Sequence, residues 1–290
     1  MTAAIDALRA VDANPVVQQV SHALNRVKRA TKPYTPFMTR ALLVLAFVED
    51  AIHTLVEYKS QLHFFERELW IPRYVALMLI LTSTSATLVG SVMVFFNKLE
   101  KNGAKLLLFA TVYQQLIYGR HSPITSGNLG FLIRNLCLCG TLLLVMSAQR
   151  VRDGLPALPG LPEMRDKHAQ RHNVALLTRI LMALLSVEMF DVIGWGWSFI
   201  MCPIALAVVV GYKTDMMGAL LMSFYVLATV SSKQFWRIDA SAHVYMAFKR
   251  DVMRFEFLQT VSILSGLLVL ITTGPGALSL DDSMRRSKAW

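Results

Sequence analysis

Glu49, Asp50, Arg134, Asn135, Glu188 and Asp191 all stand inside or at the ends of apolar runs. Where such runs cross a bilayer, each charge costs ~2.5–3.5 kcal/mol on insertion scales. Charged residues of this kind therefore face the interior of a helix bundle and mark either a working site or an ion-pair network. Glu49 lies thirteen residues past Pro36, about 20 Å along a helix. Glu188 holds the equivalent place in a later run, and Asp191 follows one helical turn on. Arg134 and Asn135 sit just inside one end of a third run, at a depth that permits Arg134 to pair with Glu49, Asp50 or Glu188. Two compatible readings follow. The groups fix helix packing as buried ion pairs, or they line a polar cavity able to hold a cation, an amine or a peptide end.

The elements that must position these residues are membrane helices. The chain is 54% hydrophobic and only 17% charged, with a mean hydropathy of +0.47. A soluble domain carries about a quarter charged residues. Residues 74–96 hold no charge, enough length to cross a ~30 Å hydrocarbon core as a helix. Lipid admits only helices and closed barrels, and continuous apolar runs exclude ten-residue alternating strands. Eight spans are expected, at 36–57, 74–96, 105–118, 129–147, 174–191, 198–212, 215–231 and 256–273. The expected fold is all-α, a polytopic transmembrane helical bundle.

Basic residues orient the map. Eight spans put both termini on one side, and 17 Lys and Arg fall on that side against 9 on the other, with Arg40, Arg134 and Arg179 inside spans. Cytosolic loops carry such an excess, so both termini are expected in the cytosol. Trp70, Trp195, Trp197 and Trp236 fall on the opposite side, as an interfacial belt requires. Arg40 and Arg179 stand near cytosolic span ends and are expected to snorkel to the headgroups. The net charge of +10 thus reports topology, and no nucleic-acid partner is expected.

Two halves of the chain look alike. Residues 39–49 and 178–188 share Thr, Arg, Leu, Leu, Val and Glu at six of eleven ungapped positions. Four spans per half make the repeats parallel, related by an axis along the membrane normal. The organisation read from this is a basic amphipathic cytosolic segment at 1–35, a first four-span repeat at 36–147, and a cytosolic connector at 148–173. A second repeat follows at 174–273, then a cytosolic tail at 274–290. In the first segment Val16, Val20, Ala23 and Val27 recur at helical spacing beside Arg26, Lys28, Arg29 and Lys32, the pattern of a helix lying on a membrane face.

No enzyme signature is present. The sequence lacks H-E-x-x-H, a P-loop, G-x-S-x-G and a dinucleotide fingerprint, so neither cofactor nor metal is expected. Cys137 and Cys139 point about 200° apart on a helix, a poor metal clamp. They read as packing residues, as does the hydroxyl cluster Thr82–Thr87. Gln114, Gln115 and Tyr118 have two readings, lining the same cavity as Arg134 or packing between helices, and packing is the expected one. His168 and His172 have ligand-like spacing but sit in the charged connector.

Several stretches, in order, resemble the surfeit locus protein 4 family. They are Tyr34-Thr-Pro-Phe-Met-Thr-Arg40 with Phe47-Val-Glu-Asp50, and Phe131-Leu-Ile-Arg-Asn-Leu136 with Gly140. Gly211-Tyr-Lys-Thr214, Phe257-Leu-Gln-Thr260, Gly274-Pro-Gly276 and Ser279-Leu-Asp-Asp282 complete the set. The resemblance implies a receptor that captures soluble cargo in the endoplasmic reticulum lumen, exports it in COPII vesicles and returns in COPI vesicles. It implies residence in the endoplasmic reticulum membrane, with cycling through the intermediate compartment and Golgi. The implied partners are secreted cargo proteins, coat components and membrane lipid, with a second copy of the chain also allowed. Under this reading Glu49, Asp50, Glu188 and Asp191 capture the free N-terminal amine of cargo, beside Arg134 and Asn135. Arg286 and Lys288 stand where the family's tail carries a dilysine-type retrieval signal. Arg replaces the first Lys, and the two are not equivalent donors. The duplicated helix also resembles DoxX-like four-helix membrane proteins. That resemblance implies an alternative, a membrane oxidoreductase or a carrier of small molecules or lipids.

Overall fold

Every regular element in the described part of the chain is helical. The computed structural model describes residues 15–31, 33–67, 69–96, 99–118, 129–152, 173–186, 188, 195–239, 244–274, 276 and 279–281. An amphipathic helix α1 (Pro15–Thr31) precedes α2 (Thr35–Val56), where Pro36 occupies the first turn, a position that needs no amide donor. A short helix α3 (Tyr58–Arg67) leads to α4 (Arg73–Phe95), α5 (Glu100–Tyr118) and α6 (Leu129–Arg152). Helices α7 (Asn173–Ser186), α8 (Trp195–Val210), α9 (Thr214–Ser232) and α10 (Val244–Thr273) complete the bundle.

Each of the eight expected apolar segments overlaps one of these helices, with several helices starting earlier than expected. Four helical segments are long and apolar enough to cross a membrane: Arg73–Phe95, Gly130–Ser147, Thr214–Arg237 and Lys249–Thr273. The outer face of α4 shows what surrounds them. Tyr74, Val75, Met78, Leu81, Val89 and Val92 are exposed along one helix. Such a continuous apolar surface is a liability in water and is matched by lipid.

The centre is closely packed and largely apolar. Leu43, Leu142, Met182, Leu221, Tyr225 and Leu267 join one core drawn from α2, α6, α7, α9 and α10. The longest helix, α10, packs against α2, α9 and α6. Small and hydroxyl residues let these backbones approach. Ser262 on α10 donates to the Leu42 carbonyl at 2.8 Å and accepts the Ala46 amide at 3.1 Å, which ties α10 to α2. Between α4 and α5, a Cβ at Gly103 would stand 2.9 Å from the Gly90 carbonyl oxygen, so only glycine permits this contact.

Contacts at the helix ends set directions. The start of α9 receives both α1 and the C-terminal segment. Lys28 of α1 pairs with Asp215 in the first turn of α9 at 2.7 Å. Asp281 accepts from the amides of Lys213 and Thr214 at 2.8 and 3.0 Å and caps that helix from 67 residues away. Gly211-Tyr-Lys-Thr214 and Ser279-Leu-Asp281 are therefore one structural unit. Gly211 takes a φ of +76°, and a Cβ there would lie 2.4 Å from Arg179 Nη1 and 2.5 Å from Ser279 Cβ.

Arg179 corrects an expectation. It does not snorkel but is 0% exposed, closed in by Gly211 and within electrostatic reach of Asp281. Arg40 is half-buried and donates through Nε to the Pro36 carbonyl at 3.0 Å. The two arginines of the proposed repeat thus have different surroundings, because the C-terminal segment covers only the second.

Candidate functional site

At the other end of the bundle, the helices enclose a cavity of about 310 Å³. Its wall comes from the last turns of α2, from α3, the first half of α4, the end of α5, the start of α6 and the first half of α10. Glu49, Asp50 and His53 project from α2, Gln114 from α5, Arg134 from α6 and Glu256 from α10. Phe64, Phe65, Ile80, Phe131 and Phe255 supply apolar surface. Helix α3 helps close the space. Its Leu62 and Phe65 pack on Ala76 and Ile80 of α4 as a small second core, while Gln61 and Phe64 face the cavity. The hydroxyl cluster is likewise more than packing, since Ser83, Thr84 and Thr87 lie in the wall.

Arg134 organises the charges. Its side chain is 4% exposed, and its Nη2 lies 3.3 Å from Glu188 and 2.8 Å from Glu256. Glu256 also receives Lys233 from the end of α9. Two carboxylates and two cations thus balance within a buried cluster. Such a pair is costly to break, since removal of one partner strands the other charge, at about 3–5 kcal/mol. Glu49 pairs with Arg254 at 2.9 Å. Asp50 accepts from the Gln114 amide at 2.5 Å. Asn135 lies behind the wall, where its amide donates to Gln115 at 2.8 Å and its carbonyl accepts from Gln259 at 2.6 Å.

The expected partners of Arg134 were Glu49, Asp50 and Glu188. Of these, the structure joins Glu188 to it and places Glu49 and Asp50 in the same cavity wall. Asp191, Arg286 and Lys288 lie outside the described residues. The sequence singles out none of Glu256, Lys233, Arg254 and Gln259: Lys233 and Arg254 fall between the expected spans 215–231 and 256–273, Glu256 stands at the first position of the last span, where a charge is ordinary, and Gln259 is uncharged. Helix α10 begins twelve residues before that span, at Val244. A signal for this exists: no glycine or proline occurs between Val244 and Gly266, so nothing local ends the helix.

The wall has a definite chemical bias. Glu49, Asp50, Glu57, Asp251 and Glu256 face it against Arg134 and Arg254. Acidic groups near Asp50 thus stand beside the apolar surface of the phenylalanines.

Comparison with known proteins covers nearly the whole chain. The sequence model described as the SURF4 family matches residues 14–290. The chain is 30% identical over 260 residues to the surfeit locus protein 4 homolog of Schizosaccharomyces pombe, spanning 87% of this chain and 82% of that protein. It is 24% identical over 277 residues to the Drosophila melanogaster surfeit locus protein 4 homolog, spanning 94% and 98%. To the ER-derived vesicles protein ERV29 of Saccharomyces cerevisiae it is 26% identical over 265 residues, spanning 90% and 80%. No solved structure matches the chain.

Proposed function

The chain belongs to the SURF4 family, and from that premise we propose that it is a membrane receptor that gathers secretory cargo through the acidic cavity. The chain crosses the bilayer eight times as two parallel four-helix repeats. Both termini face the cytosol and the cavity opens to the lumen of the endoplasmic reticulum. Alternating directions support an even count. Helices α2, α5 and α9 run toward the cavity, and α4, α6 and α10 run away from it, as their wall residues and the Lys233–Glu256 contact require. Helix α1 and residues 279–281 dock at the opposite end, beside the start of α9.

The observation that carries the reading is the cavity's composition, an excess of carboxylates beside aromatic surface. A mature cargo protein offers a free N-terminal amine followed by its first side chains. Asp50 and Glu49 hold the amine, with Glu188 and Asp191 completing the acidic end, while Phe64 and Phe131 contact the first apolar residues. Arg134 and Asn135 keep the carboxylates in place. Loaded receptor leaves in COPII vesicles and returns through COPI, recruited by Arg286 and Lys288 in the tail. Co-purification of secreted cargo from cells expressing wild type, Glu49→Gln or Asp50→Asn tests this. Cargo recovery is expected to fall in both variants. Equal recovery from all three would remove the site assignment.

A further inference from the structure

We propose that His53, Glu57 and Asp251 form a divalent metal site in the cavity wall, suited to zinc. One donor atom from each lies within 4.8 Å of the others. His53 stands in the last turn of α2 and Glu57 caps the end of that helix, its amide donating to the His53 carbonyl, with His53 Nε2 3.8 Å from Glu57 Oε2. Asp251 arrives from α10, the helix that packs most closely on α2. The side chains are 34%, 43% and 23% exposed, so an ion can enter from the cavity.

Charge balance supplies an independent reason. Glu49 is matched by Arg254, and Glu256 by Arg134 and Lys233. Among the described residues, the ion-pair partner of Glu57 is His53, and that of Asp251 is Arg250 at 3.5 Å, a half-exposed and loosely held arginine. Two carboxylates and one imidazole therefore converge where little positive charge meets them. An imidazole ligand favours zinc over calcium, which takes 6–8 oxygens. Zinc bonds of ~2.0–2.2 Å place donors roughly 3.3 Å apart in a tetrahedral site, and rotation of half-exposed side chains closes that difference. Three protein ligands leave the fourth position to water from the cavity. The filled site would tie α2 to α10 beside Asp50, independently of whether cargo uses the cavity.

The test is calorimetric titration of the full-length protein in detergent with zinc chloride, after removal of bound metal by chelator. One zinc per chain is expected, with a rise in Tm by mass action. Loss of outer-shell partners alone weakens metal sites by about 10–100-fold, so His53→Ala and Asp251→Asn are each expected to weaken binding by about 100-fold or more. His63→Ala, on the exposed face of α3, should bind as wild type does. Absent saturable binding, equal binding in both ligand variants, or calcium binding more tightly than zinc would overturn the proposal. Should a variant fail to fold, cobalt on the wild-type protein decides. Visible bands of a low-coordinate nitrogen and oxygen site, bleached by zinc, support the assignment, and their absence contradicts it.

Discussion

Among single residues, Glu256 carries more of the site than its place in the sequence suggests. It receives both Arg134 and Lys233 inside a nearly closed cluster. Glu256→Gln keeps the shape and removes one of two balancing negative charges. The expected loss is about 3–5 kcal/mol of stability, the cost of stranding a buried charge, measured by thermal unfolding in detergent. Asp281→Asn acts at the other end. It weakens the cap on α9 by about 1 kcal/mol and leaves Arg179 without its nearby acid, so the measured loss should exceed that of a cap alone. The acidic residues Glu49, Asp50 and Glu188 were legible in the sequence because a charge in an apolar run is conspicuous. Arg254 and Glu256 are not, because one precedes the expected last span and the other stands at its first position, where a charged residue is ordinary. The burial of Arg179 is not legible either, since a position near a span end says nothing of residues 279–281 folding back beside it.

At the level of elements, α3 is the part that hydropathy passes over. Ten residues are too few to span a membrane, and the region between α2 and α4 reads as a charged connection. Its amphipathic face instead closes the cavity, with Phe65 buried on α4. Phe65→Ala should cost about 3–5 kcal/mol of local packing. Because Phe65 also lines the cavity, that change should raise proteolysis between α2 and α4 and lower cargo recovery together. The approach of α4 and α5 makes a contrasting case. Gly103→Leu would force a side chain against the Gly90 carbonyl and Met93 and should reduce folded yield outright, measured by monodisperse recovery after purification. The main helices were legible because apolar runs of membrane length have few alternatives. Their ends were not, since α10 continues through charged residues that the bundle, rather than the bilayer, accommodates.

For the molecule as a whole, polarity is divided between two ends. One holds the acidic cavity. The other gathers α1, the start of α9 and the C-terminal segment around Asp281, Asp215 and Lys28. Under the proposed function this division separates recognition on one face from traffic signals on the other. Replacing Arg286 and Lys288 with alanine should move the protein from the endoplasmic reticulum toward later compartments by microscopy while leaving cargo recovery intact. The most direct measurement of the central claim is peptide binding to the purified full-length receptor, with one cargo N-terminal peptide prepared with a free amine and with an acetylated one. The account predicts that acetylation weakens binding by about tenfold or more, equivalent to ~1.4 kcal/mol, and that Asp50→Asn erases the difference. Equal binding of the two peptides to the wild-type protein would contradict it.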